Sequence, residues 1–222
     1  MSKQRDEQRT GCVFVFSGPS GTGKTTLAWE VVRNMPGTEF SISYTTRAPR
    51  EGEQDGIDYR FVDRSEFKTL CKRGDFVEWA EVFGELYGTH RADLERLIHS
   101  GRDIVLDIDI QGALQVRKAL PQTVLVFILP PDFEALHKRL RGRGTEKTAL
   151  IARRLSEARD EIEHAFDFDY LVVNESLEEA AACLRSIARA ERQKRFRQEA
   201  ILRQILNSFP VETENEKRTR AG

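Results

Sequence analysis

Four stretches of the chain are apolar at nearly every position: Cys12 to Phe16, Ile104 to Ile108, Val124 to Leu129 and Tyr170 to Val173. Unbroken runs of this length are expected of strands buried on both faces of a parallel sheet. Helical patterns separate them, over Thr25 to Met35, Ala92 to His99, Gly112 to Leu120, Asp132 to Leu140 and Glu178 to Ile201. Strand alternating with helix predicts an α/β fold, a parallel sheet with helices on both faces and right-handed crossovers. Ligands of such sheets bind at the carboxyl ends of the strands.

Two regions break the rhythm. Residues 38–90 carry short β-like pieces (Phe40 to Tyr44, Asp58 to Val62, Phe76 to Phe83), a turn signal at Asp55-Gly56 and a short helix near Ser65 to Lys72. They read as a small α+β insertion. Residues 141–165 crowd arginines around Gly142 and Gly144 before turning helical, the composition of a flap that moves. Residues 1–10 and the stretch after Ser208 are polar and receive no structure.

Charge and composition narrow the function. Lys and Arg number 35 against 36 Asp and Glu, so no bulk positive field points to nucleic acid or an anionic membrane. No apolar run approaches the roughly 18 residues of a membrane helix. The start, MSKQRDEQRT, lacks the apolar stretch of a signal peptide. Cys12, Cys71 and Cys183 are odd in number and widely spaced, which predicts reduced thiols in a cytoplasmic protein and no metal cluster. The basic run Glu191 to Arg195 reads as a solvated helix face, with an anionic partner as the alternative.

The first chemical signal is Gly18-Pro19-Ser20-Gly21-Thr22-Gly23-Lys24-Thr25, a full match to G-x-x-x-x-G-K-[ST] placed between a buried strand and a helix. Its glycines let backbone N–H groups wrap a phosphate, and the helix points its positive end at the anion. Lys24 would reach the β- and γ-phosphates, and the Thr25 hydroxyl would hold Mg²⁺. Asp107, at the end of an apolar strand, supplies the carboxylate that such a metal needs, or else caps the helix that follows; Asp109 projects to the same side.

The insertion offers an acceptor site. Arg47 and Arg50 suit a phosphate monoester through paired hydrogen bonds, although solvated loop arginines would look the same. Glu78 lies between apolar neighbours, where a carboxylate could accept both N1–H and N2–H₂ of guanine. By pattern alone, the solvated side of an edge strand is the better explanation.

The ordered set GPSGTGKT, SYTTRAPREGEQDGIDYRFV, FVEWAEVFGELYGT, DIDIQG and RLRGRG resembles the guanylate kinases, which phosphorylate GMP from ATP, over residues 11–195. The resemblance implies a P-loop kinase core over 11–37, 91–130 and 161–206, a GMP-binding domain over 38–90, a helical lid over 131–160, and tails at 1–10 and 207–222. It assigns guanine reading to Ser43, Glu78, Thr89 and Asp109, with Asp107 beside GMP. Arg47, Arg50, Tyr59 and Tyr87 would hold the GMP phosphate. The loop from Gly18 through Lys24, Thr25 and Thr26 would hold the ATP phosphates, and Asn174 would contact adenine. Lys24, Arg50, Arg139, Arg143 and Arg154 are the implied catalytic cations, with Thr25 and Asp107 at the magnesium. Tyr44, where a small residue is common, and His90 depart from the pattern.

The implied partners are the small molecules GMP and ATP with Mg²⁺; the sequence specifies no oligomeric state. Two alternatives stay open at this point. A kinase-like interaction module would bind phosphorylated partners without chemistry, usually with a degraded phosphate loop, yet Lys24, Thr25 and Asp107 are all present. A sugar-phosphate kinase would have little use for Ser43, Glu78 and Thr89 together.

Overall fold

The computed structural model describes residues 10–82, 84–141 and 148–209, without the side chains of residues 148–153. The chain opens with β1 (Val13–Ser17), α1 (Lys24–Asn34), β2 (Thr38–Phe40), β3 (Tyr44–Thr45), β4 (Arg60–Phe61) and α2 (Arg64–Arg73). It continues through β5 (Phe76–Val82), β6 (Glu85–His90), α3 (Arg91–His99), β7 (Asp103–Asp107), α4 (Ile110–Ala119) and β8 (Val124–Leu129). The last part holds α5 (Phe133–Arg141), α6 (Thr148–Glu163), β9 (Tyr170–Val173), α7 (Leu177–Arg192) and α8 (Glu199–Ser208).

Five strands form a sheet in the order β2-β7-β1-β8-β9, with every pair parallel. The two-residue period of a strand divides the core. Cys12, Phe14 and Phe16 pack on one face against Leu27 and Val31 of α1 and Leu184 of α7. Val13 and Val15 pack on the other, against Leu94 of α3 and Val116 of α4. Both faces are covered, as the all-apolar runs predict. Strand order reverses at β1, with β7 to one side and β8 to the other. The loop after β1 therefore opens into the crevice where such sheets take ligands.

A second sheet, β4-β3-β6-β5, mixes parallel and antiparallel pairs around a small core of Phe67, Phe76 and Leu86. The strand expected over Phe40 to Tyr44 is two strands in two sheets. Thr38–Phe40 pairs with β7, and Tyr44–Thr45 pairs with β4 and β6. Strand β6 goes unannounced in the sequence because Gly88 sits in its middle. That glycine is a packing requirement, since a Cβ there would meet the Glu78 carbonyl, Phe67 and Phe76 at 3.1 Å.

The helix expected over Glu178 to Ile201 breaks after Arg192. Lys194 is extended (φ −57°, ψ 134°), and Gln198 turns back to donate to the Arg192 carbonyl at 2.6 Å. Arg197 is buried there with Nη2 on the Gln122 carbonyl at 2.9 Å, a contact that a continuous helix would not offer.

A buried polar tie holds the sheet edge. Asp103 accepts from the Cys12 N–H at 2.9 Å through one oxygen and from Arg192 Nε at 2.5 Å through the other. Arg192 also donates to the Pro36 carbonyl and the Thr38 hydroxyl. Removing one partner of a buried pair strands the other, at about 3–5 kcal/mol. Asp103→Ala should lower Tm by about 6–20 °C for a chain of this size. A thermal melt within about 3 °C of the parent would show that the tie contributes little.

Candidate active site

The crevice begins with the loop between β1 and α1. Gly18 has φ 134°, and a Cβ on it would meet the Ile128 carbonyl oxygen at 2.3 Å, so no other residue fits. Gly23 caps α1 in the left-handed region with no side-chain partner for the helix N–H groups, and no acidic residue stands in the first turn. Those donors and the helix dipole face the loop's interior, an arrangement built for an anion. Lys24 folds over the loop and donates to the carbonyls of Gly18 (2.6 Å) and Pro19 (3.1 Å). Thr22 is fully buried and ties its hydroxyl to the Pro19 carbonyl at 2.9 Å.

Asn174, just past β9, braces this loop. Its Nδ2 donates to the Thr22 carbonyl at 2.7 Å, and its own carbonyl accepts from Arg139 Nη2 at 2.8 Å. Gly23 makes room, because a Cβ there would meet Nδ2 at 2.6 Å. Among the described residues, Nη1 of Arg139 is buried without a hydrogen-bond partner. A buried guanidinium nitrogen without an acceptor is poised to receive an anion.

The Thr25 hydroxyl donates to the Asp107 carboxylate, so the first turn of α1 and the end of β7 meet at the crevice floor. Burial pushes the Asp107 carboxyl above its ordinary range, opposed by the charge of Lys24 and by the Thr25 bond. A touching hydroxyl and carboxylate beside a phosphate cradle suit Mg²⁺, which takes one or two protein ligands and fills its shell with phosphate and water. On α6, Glu161 is also raised by burial and feels Lys24 and Asp109 across the crevice. Sequence reasoning gave no role to Glu161; its spacing seven residues after Arg154, on one helix face, is the signal.

The small sheet supplies the opposite wall. Glu78 in β5 is 4% exposed, and its Oε1 accepts from the Thr89 hydroxyl on β6 at 2.7 Å. Burial raises its carboxyl to about 7, the Thr89 bonds oppose that rise, and Asp109 adds to it. A register shift between Phe76 and Glu78 explains why the expected solvated face is wrong: the bulge sends Val77 into the large core and keeps Glu78 covered as well. Asp109 caps α4 by accepting from the Gly112 N–H at 2.7 Å.

Tyr59 and Tyr87 stand edge to face at 6.1 Å, and the Arg47 guanidinium lies over the Tyr59 ring at 5.3 Å. Burial raises the Tyr59 hydroxyl above its usual range, with Tyr87 adding to the effect. Glu53 grips Arg47 with both oxygens, at 3.0 and 2.8 Å, and accepts from the Arg50 N–H at 2.7 Å. This bidentate bond raises the guanidinium pKa further and lowers that of Glu53. Arg50 is exposed, Ser43 is half-buried between β2 and β3, and Thr26 is exposed on α1. Arg154 lies half-buried on α6; Arg143 is outside the described residues.

The family model described as guanylate kinase matches residues 10–191. A guanylate kinase of Neisseria gonorrhoeae is 48% identical over 90% of this chain and 98% of its own length. One from Alkalilimnicola ehrlichii is 46% identical over 90% and 98%, respectively. The crystal structure of guanylate kinase from Anaplasma phagocytophilum superposes with a TM-score of 0.74 at 38% identity, over 93% of this chain and 99% of that one. With that model matching residues 10–191 and relatives aligned over nearly their whole length, the chain belongs to the guanylate kinase family.

Proposed function

We propose that the protein transfers the γ-phosphoryl group of ATP to GMP, giving ADP and GDP, as a cytoplasmic enzyme of purine nucleotide metabolism. The observation that carries this reading is the buried Glu78 carboxylate on its own small sheet, bonded to Thr89 and close enough to Asp109, past the end of β7, to feel its charge. A carboxylate there accepts N1–H and N2–H₂ together, a donor pair that guanine has and adenine lacks. Ser43 and Asp109 complete the base site. Arg47, Arg50, Tyr59 and Tyr87 take the GMP phosphate, with Glu53 releasing Arg47 as the phosphate arrives.

In the transfer, the bond from the γ-phosphorus to its bridging oxygen breaks and one to a GMP phosphate oxygen forms. The acceptor oxygen is already anionic, so no base has to remove a proton. What remains is to hold two polyanions in line and stabilise the charge spread over the moving group. Lys24, the loop N–H groups, Arg139, Arg143 and Arg154 do this from the ATP side and the lid. Thr25 and Asp107 would hold Mg²⁺, which neutralises phosphate charge when bound. Asn174 stands beside the loop at the adenine end. Residues 38–90 and 131–160 serve as the acceptor and lid domains that exclude water once both ligands are in place. No described helix is long and apolar enough to cross a membrane.

A coupled assay of ADP release with GMP, AMP and sugar phosphates tests the reading, and release that does not depend on GMP would overturn it. Lys24→Ala and Arg154→Ala should each lower kcat by about 10²–10³ with the fold retained by circular dichroism. Wild-type turnover in either variant removes that residue from the mechanism. Glu78→Gln should lower kcat/KM for GMP by about 100-fold, since an amide cannot accept from both donors.

The raised carboxyl also sets a pH dependence. Only ionised Glu78 accepts both donors, and below about 7 a proton must leave before GMP binds. The kcat/KM for GMP should therefore rise with pH through an inflection near 7, separate from the phosphate's own ionisation near 6. A profile flat from pH 6.5 to 8 contradicts the burial argument.

A further inference from the structure

Strand β5 is the edge of the small sheet, yet its outer edge is not left to water. The Gln115 side chain on α4 meets the main chain of Trp79, the residue after Glu78. Its Oε1 accepts from the Trp79 N–H at 3.2 Å, and its Nε2 donates to the Trp79 carbonyl at 3.1 Å. One side-chain amide thus stands in for a neighbouring strand at a single position. The Trp79 N–H belongs to the peptide that carries the Glu78 carbonyl, so the clamp acts directly on the backbone that aims the carboxylate.

One turn earlier on the same helix face lies Gly112. A Cβ built there would come within 2.9 Å of Glu78 Oε2 and 3.2 Å of Asp109 Oδ1. The glycine is therefore the space that Glu78 occupies. Val77, beside Glu78 in the bulge, packs with Ala113 and Val116 of that helix. Three contacts from α4, a packing seat, a clearance and a two-bond clamp, fall on Val77, Glu78 and Trp79, so Glu78 is flanked on both sides.

We infer that Gln115 and Gly112 are positioning residues for guanine selection: they fix the Glu78 carboxylate so that both guanine donors, N1–H and N2–H₂, are accepted at once. Neither touches substrate. This rests on the guanylate kinase reading. A carboxylate that drifts by a few tenths of an ångström keeps one strong bond to N1–H and loses the second to the amine. Selectivity between GMP and IMP, which differ only by that amine, is the property the helix face controls. ATP binding, on the far side of the crevice, is not.

The test compares the wild-type protein with Gln115→Leu, which keeps bulk and helix preference, and with Gly112→Ala. The kcat/KM values for GMP and IMP are measured at saturating ATP, alongside KM for ATP and Tm. The GMP/IMP ratio should fall about tenfold in each variant, as expected for one charge-assisted hydrogen bond, with KM for ATP within about twofold. Wild-type protein that fails to use GMP sinks the underlying kinase assignment. Wild-type protein that uses GMP, with Gln115→Leu at an unchanged GMP/IMP ratio, overturns the positioning role whatever happens to Tm. Gln115→Leu alone decides this if Gly112→Ala does not fold.

Discussion

Phosphates repel one another, and the proposed reaction requires two of them to touch. One part of the answer is Lys24 and a set of N–H dipoles on a loop fixed to the large sheet by its own contacts. The loop after β1 is rigid for local reasons. Gly18 passes against the Ile128 carbonyl, Thr22 is bonded inward to Pro19, and Asn174 props the Thr22 carbonyl from the far side. Dipoles fixed in advance need no reorganisation when charge shifts during transfer. The parallel sheet matters chiefly because it ends there: β1, β7 and β8 deliver the loop, Asp107 and the Asp109 cap to one crevice.

The other wall works by a different principle. Glu78 is held in a site that disfavours its ionised form, with hydrogen bonds from the Thr89 hydroxyl and backbone to compensate. Burial of this kind sharpens discrimination, because a ligand without the right donors leaves a dry carboxylate unsatisfied, at about 1–3 kcal/mol or more. On the proposed function, stability is traded for selectivity at this position. The bulge at Val77 makes the trade possible, keeping two consecutive side chains of one strand away from water.

The large sheet was legible in the sequence because strands buried on both faces must be apolar throughout, and the phosphate loop because its glycines follow from backbone geometry. The small sheet was less so. Its strands are two to seven residues long, and Gly88 disguises β6 as a turn. Glu78 looked solvated because alternation was counted through a bulge that no local pattern marks. The break after Arg192 depended on Arg197 finding the Gln122 carbonyl, a tertiary contact 75 residues away in the chain. Gln115 and Glu161 carried no signal beyond helix spacing, since their partners lie on other elements.

The acceptors that the cations already hold also explain how they can share a crevice without unfolding it. Lys24 lies on the Gly18 and Pro19 carbonyls, Arg47 on Glu53, and one arm of Arg139 on the Asn174 carbonyl. Binding is thus an exchange of acceptors, and the net gain per contact is smaller than the bare attraction between charges. The exchange is uneven. Carbonyl oxygens carry partial charge, so Lys24 gains strongly when a triphosphate replaces them. Arg47 already has a bidentate carboxylate and gains less from a monophosphate. On the proposed function, the loop side is built for affinity, and the acceptor side, where Arg47 is already paired, draws its preference from the shape and donors of the base.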